Sequence, residues 1–261
     1  MKNFTKFYIA ISIVCLFVSI LPSNSYADVI TLRADMWYPY NGEPNSDKPG
    51  YIIEIADYIF TNAGHQIDYQ LLNWARTCKE VESGKWNGAV GGSYKENPGC
   101  IFSEEELGVM QNVFYAKKGI NWRYSGVESL KNIKIGIIKD YSYGDTLNEY
   151  FKTEKSNLVQ VIYGDNPLEA NIKKLLLGRI DVVIEDKAVF EAIAHKMNIL
   201  PQIEVVGNLP IDESYHIFIA FSPKNSKSEE YADLITKGVK EMRANGKLDE
   251  ILASYGLSDW K

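Results

Sequence analysis

Hydrophobic and polar residues in the first half of the chain follow two patterns. Three segments have the composition or the period-two alternation of strands: VITLRADMW (29–37), HQIDYQLL (65–72) and GAVGGSY (88–94). Two segments between them space their apolar residues as helices do, and each ends at a glycine: GYIIEIADYIFTNAG (50–64) and WARTCKEVESG (74–84). The order β-α-β-α-β predicts a mainly parallel sheet with helices on its faces.

The same order returns in the second half of the chain. Three segments there are typical of buried strands: IKIGIIKD (133–140), LVQVIYGD (158–165) and RIDVVIED (179–186). A segment with helical spacing follows each of them: DTLNEYFKTE (145–154), NPLEANIKKLLLG (166–178) and KAVFEAIAHKM (187–197). Two extended apolar segments, 112–122 and 215–225, lie outside these units, and the chain ends in two helices broken at Gly246.

These elements predict an α/β fold with two lobes, each built on a mainly parallel sheet flanked by helices. Lobe 1 would contain residues 28–115 and 221–261, and lobe 2 residues 116–220. Two hinge strands, near 113–117 and 217–222, would join them. Because open α/β sheets bind ligands beyond the carboxyl ends of their strands, we expect a small-molecule cleft between the lobes.

Residues 1–27 have the pattern of a cleavable signal peptide. Two lysines precede the apolar run FYIAISIVCLFVSIL, and Ser25 and Ala27 are the small residues that signal peptidase recognises. An uncleaved anchor is the alternative. We expect export to the periplasm, with a mature chain of 234 residues because 27 of 261 are removed.

The charge of the mature chain argues against binding to nucleic acid. Residues 1–27 contain two lysines and no acidic residue, so their removal changes the formal net charge from −6 to −8. No motif for a metal, a nucleotide or a catalytic nucleophile is present, and we predict no cofactor, no metal and no catalytic residue. The two remaining cysteines, Cys78 and Cys100, favour a disulfide in an oxidising compartment, with two buried thiols as the alternative.

The mature chain resembles the family 3 extracellular solute-binding proteins, the periplasmic receptors of polar amino-acid ABC transporters. Five segments carry the resemblance in the family's order: ADMWYPYNG, GYIIEIADYIFTNAG, VESGKWNGAVGGSYKE, LLLGRIDVVIEDKAVF and KEMRANGKLDEILASYG. The resemblance implies the two-lobed periplasmic-binding-protein fold of type II. It also implies a solute bound between the lobes, a permease partner in the inner membrane, and a monomer.

One departure from the family concerns the ligand's carboxylate. The family has Thr-x-x-Arg after the third strand, where this chain has SYKENPGC and the position of the arginine falls near Gly99. Arg76 at a helix start, or Lys95, could replace that cation, and Ser93 opens the same loop. An arginine would give a bidentate match to a carboxylate, whereas a lysine is a point charge.

The resemblance assigns the remaining ligand contacts. Trp37 and Trp74 fall where the family places rings on either side of the ligand, with Tyr40 beside Trp37; core packing is the alternative for these rings. The loop containing Tyr141, Ser142 and Tyr143 would meet the ligand's carboxylate, although Ser142 could instead cap the next helix. Asp186 would hold the ligand's amino group.

We therefore predict a periplasmic binding protein that captures a small zwitterionic or carboxylate solute, amino-acid-like, for an ABC transporter. Two alternatives remain at this point. Some relatives, the cyclohexadienyl dehydratases, catalyse an elimination in the same cleft, for which Glu185 could act as the general acid if burial raised its pKa. The second alternative is a ligand-sensing partner of a signalling receptor.

Overall fold

The computed structural model describes residues 27–154, 157–164, 166–210 and 215–261. Within these residues the chain forms seven α-helices: α1 Tyr51–Asn62, α2 Trp74–Glu82, α3 Asp145–Thr153, α4 Pro167–Leu176, α5 Lys187–Lys196, α6 Ser228–Asn245 and α7 Lys247–Ser254. It also forms ten strands: β1 Val29–Ala34, β2 Gln66–Leu71, β3 Gly88–Gly92, β4 Gly108–Val109, β5 Asn112–Lys117, β6 Ile135–Ile138, β7 Val159–Ile162, β8 Val182–Asp186, β9 Ile203–Asn208 and β10 His216–Phe221. The predicted signal peptide lies outside the described residues.

The first sheet has the strand order β2-β1-β3-β10-β4. Strand β1 is parallel to both β2 and β3, whereas β10 runs antiparallel to β3 and β4. Parallel strands covered on both faces are apolar along their length, and Ile30, Leu32 and Ala34 of β1 are all fully buried. The carboxyl ends of β1, β2 and β3 therefore meet at one edge of this sheet.

The second sheet has the order β7-β6-β8-β5-β9 and repeats this arrangement. Strand β6 is parallel to β7 and β8, and β5 is antiparallel to β8 and β9. All four residues of β6 and all five of β8 are buried, as expected for central strands. Each sheet thus has three neighbouring parallel strands, followed by one antiparallel strand, β10 or β5, that pairs with the last strand of the sheet.

Helices α1 and α6 pack on each other beside the first sheet. The apolar face of α1 contributes Ile52, Ile59 and Phe60 to the core, and α6 contributes Ile235 and Val239. The chain enters α1 through Gly50, whose φ of 105° favours glycine. No helix among the described residues is long and apolar enough to cross a membrane.

The chain crosses between the two sheets twice, at 110–111 and between β9 and β10. The two crossings run side by side at the first sheet, where the N–H of Met110 donates to the carbonyl of Tyr215 at 2.8 Å. Strand β5 belongs wholly to the second sheet and β10 wholly to the first. The predicted boundaries at 115/116 and 220/221 therefore fall within these two strands, and the chain passes from sheet to sheet before each strand begins.

Candidate functional site

A cleft with a cavity of about 90 Å³, open at its mouth, lies between the two lobes. The cleft is bounded by residues that follow the carboxyl ends of the parallel strands, and by Tyr215 and His216, where the chain enters β10 of the first lobe. Its polar and aromatic lining consists of Asp35, Trp37, Trp74, Ser93, Lys95, Glu96, Tyr141, Ser142, Tyr215 and His216. Aromatic side chains with a few polar groups among them are the lining of a site for a small polar molecule.

Six of the ten predicted ligand-binding residues line this cleft: Trp37, Trp74, Ser93, Lys95, Tyr141 and Ser142. Each follows a strand that ends at the cleft. Gly91 lies beside the indole of Trp37 in the cleft wall, and its φ of 95° is a backbone conformation that favours glycine.

Arg76 does not line the cleft, contrary to the prediction. Its side chain is 60% exposed, and its Nε donates to Oε1 of Glu80 at 2.9 Å, one helical turn later. Glu80 also accepts from Lys85 and Trp86 on the outer surface of the lobe. Because residues two positions apart in a helix point about 200° apart, Trp74 faces the cleft and Arg76 faces solvent.

Asp186 is also not exposed to the cleft. It is 1% exposed and caps α5, since its Oδ1 accepts from the N–H of Val189 at 3.1 Å. Its Oδ2 accepts from the N–H of Gln111, next to the first crossing, at 2.9 Å. Burial raises the pKa of Asp186 to about 6 although these N–H groups oppose the shift. The predicted contact with a ligand's amino group is absent from this geometry.

Tyr40 and Tyr143 lie behind the cleft wall instead of lining it. The ring of Tyr40 is buried beneath Trp37, with centroids 4.2 Å apart and planes 21° apart, so it supports that ring. The hydroxyl of Tyr143 is buried and accepts from the N–H of Ile138 at 2.8 Å. Both residues position the walls of the cleft.

Two contacts join the lobes directly across the cleft. The hydroxyl of Tyr141 in the second lobe donates to Oδ2 of Asp35 in the first, at 3.2 Å. At the mouth, the ammonium of Lys95 forms an ion pair with Asp145 at the start of α3. The lobes are therefore in contact around the cavity.

Asp35 and Glu96 are two cleft carboxylates that the sequence analysis did not select. Burial raises the pKa of Asp35 to about 6, although the hydrogen bond from Tyr141 opposes the shift. The surrounding protein also raises the pKa of Glu96, again mainly through loss of solvent, with the charge of Asp35 adding to it. The position of Asp35 directly after β1, at a carboxyl strand end, is the signal that could have identified it.

Glu185, the candidate general acid of the enzymatic alternative, lies behind Trp37 and is 2% exposed, so it reaches neither solvent nor the cleft. Its Oε1 accepts from the N–H of Asp186 at 2.9 Å. Its Oε2 and the indole nitrogen of Trp37 are both buried, and neither forms a hydrogen bond of full geometry among the described residues, although the indole N–H acts on the carboxyl group and opposes the rise in its pKa. Burial raises the pKa of Glu185 to about 8, and the negative charges of Asp186 and Asp35 add to the shift.

The predicted disulfide is not formed in the structure, where Cys78 and Cys100 are free thiols. The side-chain amide of Asn97 donates to Sγ of Cys78 at 3.2 Å. Burial raises the pKa of the Cys78 thiol to about 11, with the nearby Cys100 contributing to the shift. Neither thiol has the electropositive surroundings of a reactive cysteine.

His216 lines the cleft, whereas His65 is 4% exposed and belongs to the core. Met110 and Tyr215 complete the lining from the crossing segments. These residues had no distinguishing pattern in the sequence, because their place depends on where the chain crosses between the sheets.

Solved structures with the same arrangement identify the fold. One of them comes from work on glutathione import in Gram-positive bacteria via GshT and the cystine ABC importer TcyBC of Streptococcus mutans. It matches this chain with a TM-score of 0.74 at 18% sequence identity, and the match covers 89% of this chain and 97% of the other. The amino acid ABC transporter substrate-binding protein AbpA from Streptococcus pneumoniae, bound to L-arginine, gives 0.66 at 20% identity, over 88% and 94%. A histidine kinase sensor domain with similarity to periplasmic binding proteins gives 0.67 at 18%, over 88% and 98%.

These likenesses confirm the predicted fold class, an α/β fold of two lobes as in periplasmic binding proteins. No protein-family model matches the chain, and no curated protein sequence matches it. The fold is thus shared at sequence identities that are too low to infer a shared function. The function has to be argued from the residues of the cleft.

Proposed function

We propose that this protein is a solute-binding protein that closes its two lobes over a small amino-acid-like solute and presents it to an ABC permease. The observation that carries the proposal is the cleft. Aromatic and charged side chains from both lobes surround one small cavity, and contacts join the lobes across it. A ligand that touches both lobes stabilises the closed form, which a permease can recognise.

The solved neighbours support this proposal. GshT was studied in glutathione import with an ABC importer, and AbpA is an amino acid ABC transporter substrate-binding protein bound to L-arginine. The sensor-domain neighbour keeps signalling as a second role for the same closure, with a receptor in place of a permease. A permease gene or a sensor-kinase gene beside this one would separate the two roles.

A screen of solutes by thermal shift tests the proposal. Purified protein is heated with amino acids, amines and organic acids, each at a concentration far above a micromolar dissociation constant. A solute that binds the folded state adds about 3 kcal/mol to the free energy of unfolding when its concentration is one hundred times its dissociation constant. This added stability raises Tm. If no solute in the screen raises Tm, the proposal of a solute-binding cleft is wrong.

One observation bears on the alternative of an elimination reaction. Glu185 has the raised pKa that a general acid needs, but its side chain is behind Trp37 and does not line the cleft. A catalytic acid must come within hydrogen-bond reach of the proton's acceptor, so the geometry favours binding. Incubation of the purified protein with prephenate tests the two alternatives. Turnover of prephenate would support an enzyme, and recovery of unchanged prephenate would support a binding protein.

Export remains part of the proposal, with cleavage after Ala27 and a monomer in the periplasm. The mass of the intact protein isolated from a periplasmic fraction tests it. A mass that corresponds to residues 28–261 is expected, and the mass of the full chain would contradict it. A second mass spectrum, recorded after alkylation without reduction, shows whether Cys78 and Cys100 are paired in the oxidising compartment, because only free thiols gain the mass of the alkylating group.

A further inference from the structure

The charges that line the cleft are unbalanced. Asp35 and Glu96 contribute two carboxylates from the first lobe. Among the described lining residues the one lysine is Lys95, whose ammonium is paired with Asp145 at the mouth. No arginine lines the cleft in the part of the chain that the structure describes.

The structure places more acidic groups directly behind this lining. Glu185 lies beneath Trp37, and its buried Oε2 forms no hydrogen bond of full geometry among the described residues. Asp186 follows it, also buried. Burial raises the pKa of both Asp35 and Glu185, and the negative charges of Asp186 and Asp35 raise the pKa of Glu185 further. A positive charge in the cleft would relieve that cost.

The aromatic rings in the cleft are also suited to bind a positively charged group. Trp37 and Trp74 line the cleft from the first lobe, and Tyr141 lines it from the second. The face of an indole or a phenol attracts a cation, and the attraction is strongest where water is excluded. Tyr40, stacked beneath Trp37, fixes one of these faces in place.

We propose that the cleft binds an organic cation, an ammonium or a guanidinium, and that a carboxylate on the solute is not required. This proposal rests on the proposed solute-binding function and narrows it. The cationic group lies between the aromatic rings and donates to Asp35, while Glu96 contributes negative charge nearer the mouth. A carboxylate, when the solute has one, faces Lys95.

Titration calorimetry with four solutes at pH 7.5 tests the proposal: agmatine, arginine, glutamine and glutamate. Agmatine has the guanidinium without a carboxylate, and arginine has both. We expect agmatine to bind with a dissociation constant within tenfold of that for arginine, or lower. Glutamine and glutamate are expected to bind at least 100-fold more weakly.

The variant Asp35→Asn locates the contact. Asparagine has the same shape and can still accept from Tyr141, so the lobe contact is kept while the charge is removed. We expect the affinity for agmatine to fall at least tenfold. Asp249→Asn, at an exposed position in α7 away from the cleft, is the matched control and should leave the affinity unchanged.

Four results would overturn the proposal. Binding of glutamine or glutamate without either cation would reject the charge preference and leave the solute-binding function standing. Arginine that binds at least 100-fold more tightly than agmatine would show that a carboxylate is required. Equal binding of agmatine by wild type and Asp35→Asn, or no binding of either cation, would reject the cation site, while the wider thermal-shift screen decides the solute-binding function separately.

Discussion

Replacing Glu185 with glutamine should change how the stability of the protein depends on pH. The carboxyl group is 2% exposed, and burial raises its pKa from the ordinary 4.5 to about 8. Glutamine has nearly the same shape and can still accept from the N–H of Asp186. The substitution therefore removes the titrating group with little change to the packing around it.

The direction and size of the effect follow from the two pKa values. Between pH 4.5 and pH 8 the folded protein keeps a proton on Glu185 that the unfolded chain releases. The stabilisation from this proton is complete below the unfolded pKa and is lost as the pH rises through the folded pKa. From pH 5 to pH 7 the free energy of unfolding of the wild type should fall by about 2 kcal/mol through this group alone.

Urea denaturation at pH 5, 6 and 7 measures this change. The curve of stability against pH for Glu185→Gln should be flatter than that of the wild type by about 2 kcal/mol over this range. It should not be level, because the pKa values of Asp35 and Asp186 are also raised, each to about 6. Glu229→Gln, at an exposed position in α6, is the control. Identical pH dependence of wild type and Glu185→Gln would refute the reasoning.

Three further predictions concern the scaffold. Arg33 is 3% exposed and bonds Asp68 at 2.8 Å, so Arg33→Met should lower the free energy of unfolding in urea by about 2 kcal/mol; no loss would contradict a structural role. Gly50→Ala should cost about 3 kcal/mol in the same assay, because φ is 105° and a Cβ would lie 2.4 Å from neighbouring backbone; full stability would contradict this crowding. Asp145→Asn should speed solute release in stopped-flow experiments, with under about 1 kcal/mol lost in stability because its pair with Lys95 is exposed; unchanged release would argue against a closing role for that pair.

The fold could be predicted from the sequence because it depends on local patterns. Runs such as Ile135–Ile138 and Val182–Asp186 are apolar enough to identify central parallel strands, and the glycines that follow the helices mark their ends. The place of the cleft followed from the strand ends. The positions of the crossings did not, since β5 and β10 look alike as extended apolar segments and only their pairing shows which sheet each one joins.

The direction of individual side chains was harder to predict. Trp74 and Arg76 cannot both face the cleft from one helix, and the spacing of Arg76 and Glu80 already indicated a surface pair. Asp186 directly before a helix is typical of an N-cap, which is the role it has. Asp35 was missed because the family resemblance directed attention to the aromatic residues that follow it.

The central claim is that a solute lies between the lobes against Trp74, on the side of α2 that faces away from Arg76. Calorimetric titration of the tightest solute from the thermal-shift screen into Trp74→Ala and Arg76→Ala tests it most directly, since the two residues are close in the same helix and point apart. We predict at least tenfold weaker binding for Trp74→Ala and a dissociation constant within twofold of wild type for Arg76→Ala. Weakened binding for Arg76→Ala with unchanged binding for Trp74→Ala would contradict the account.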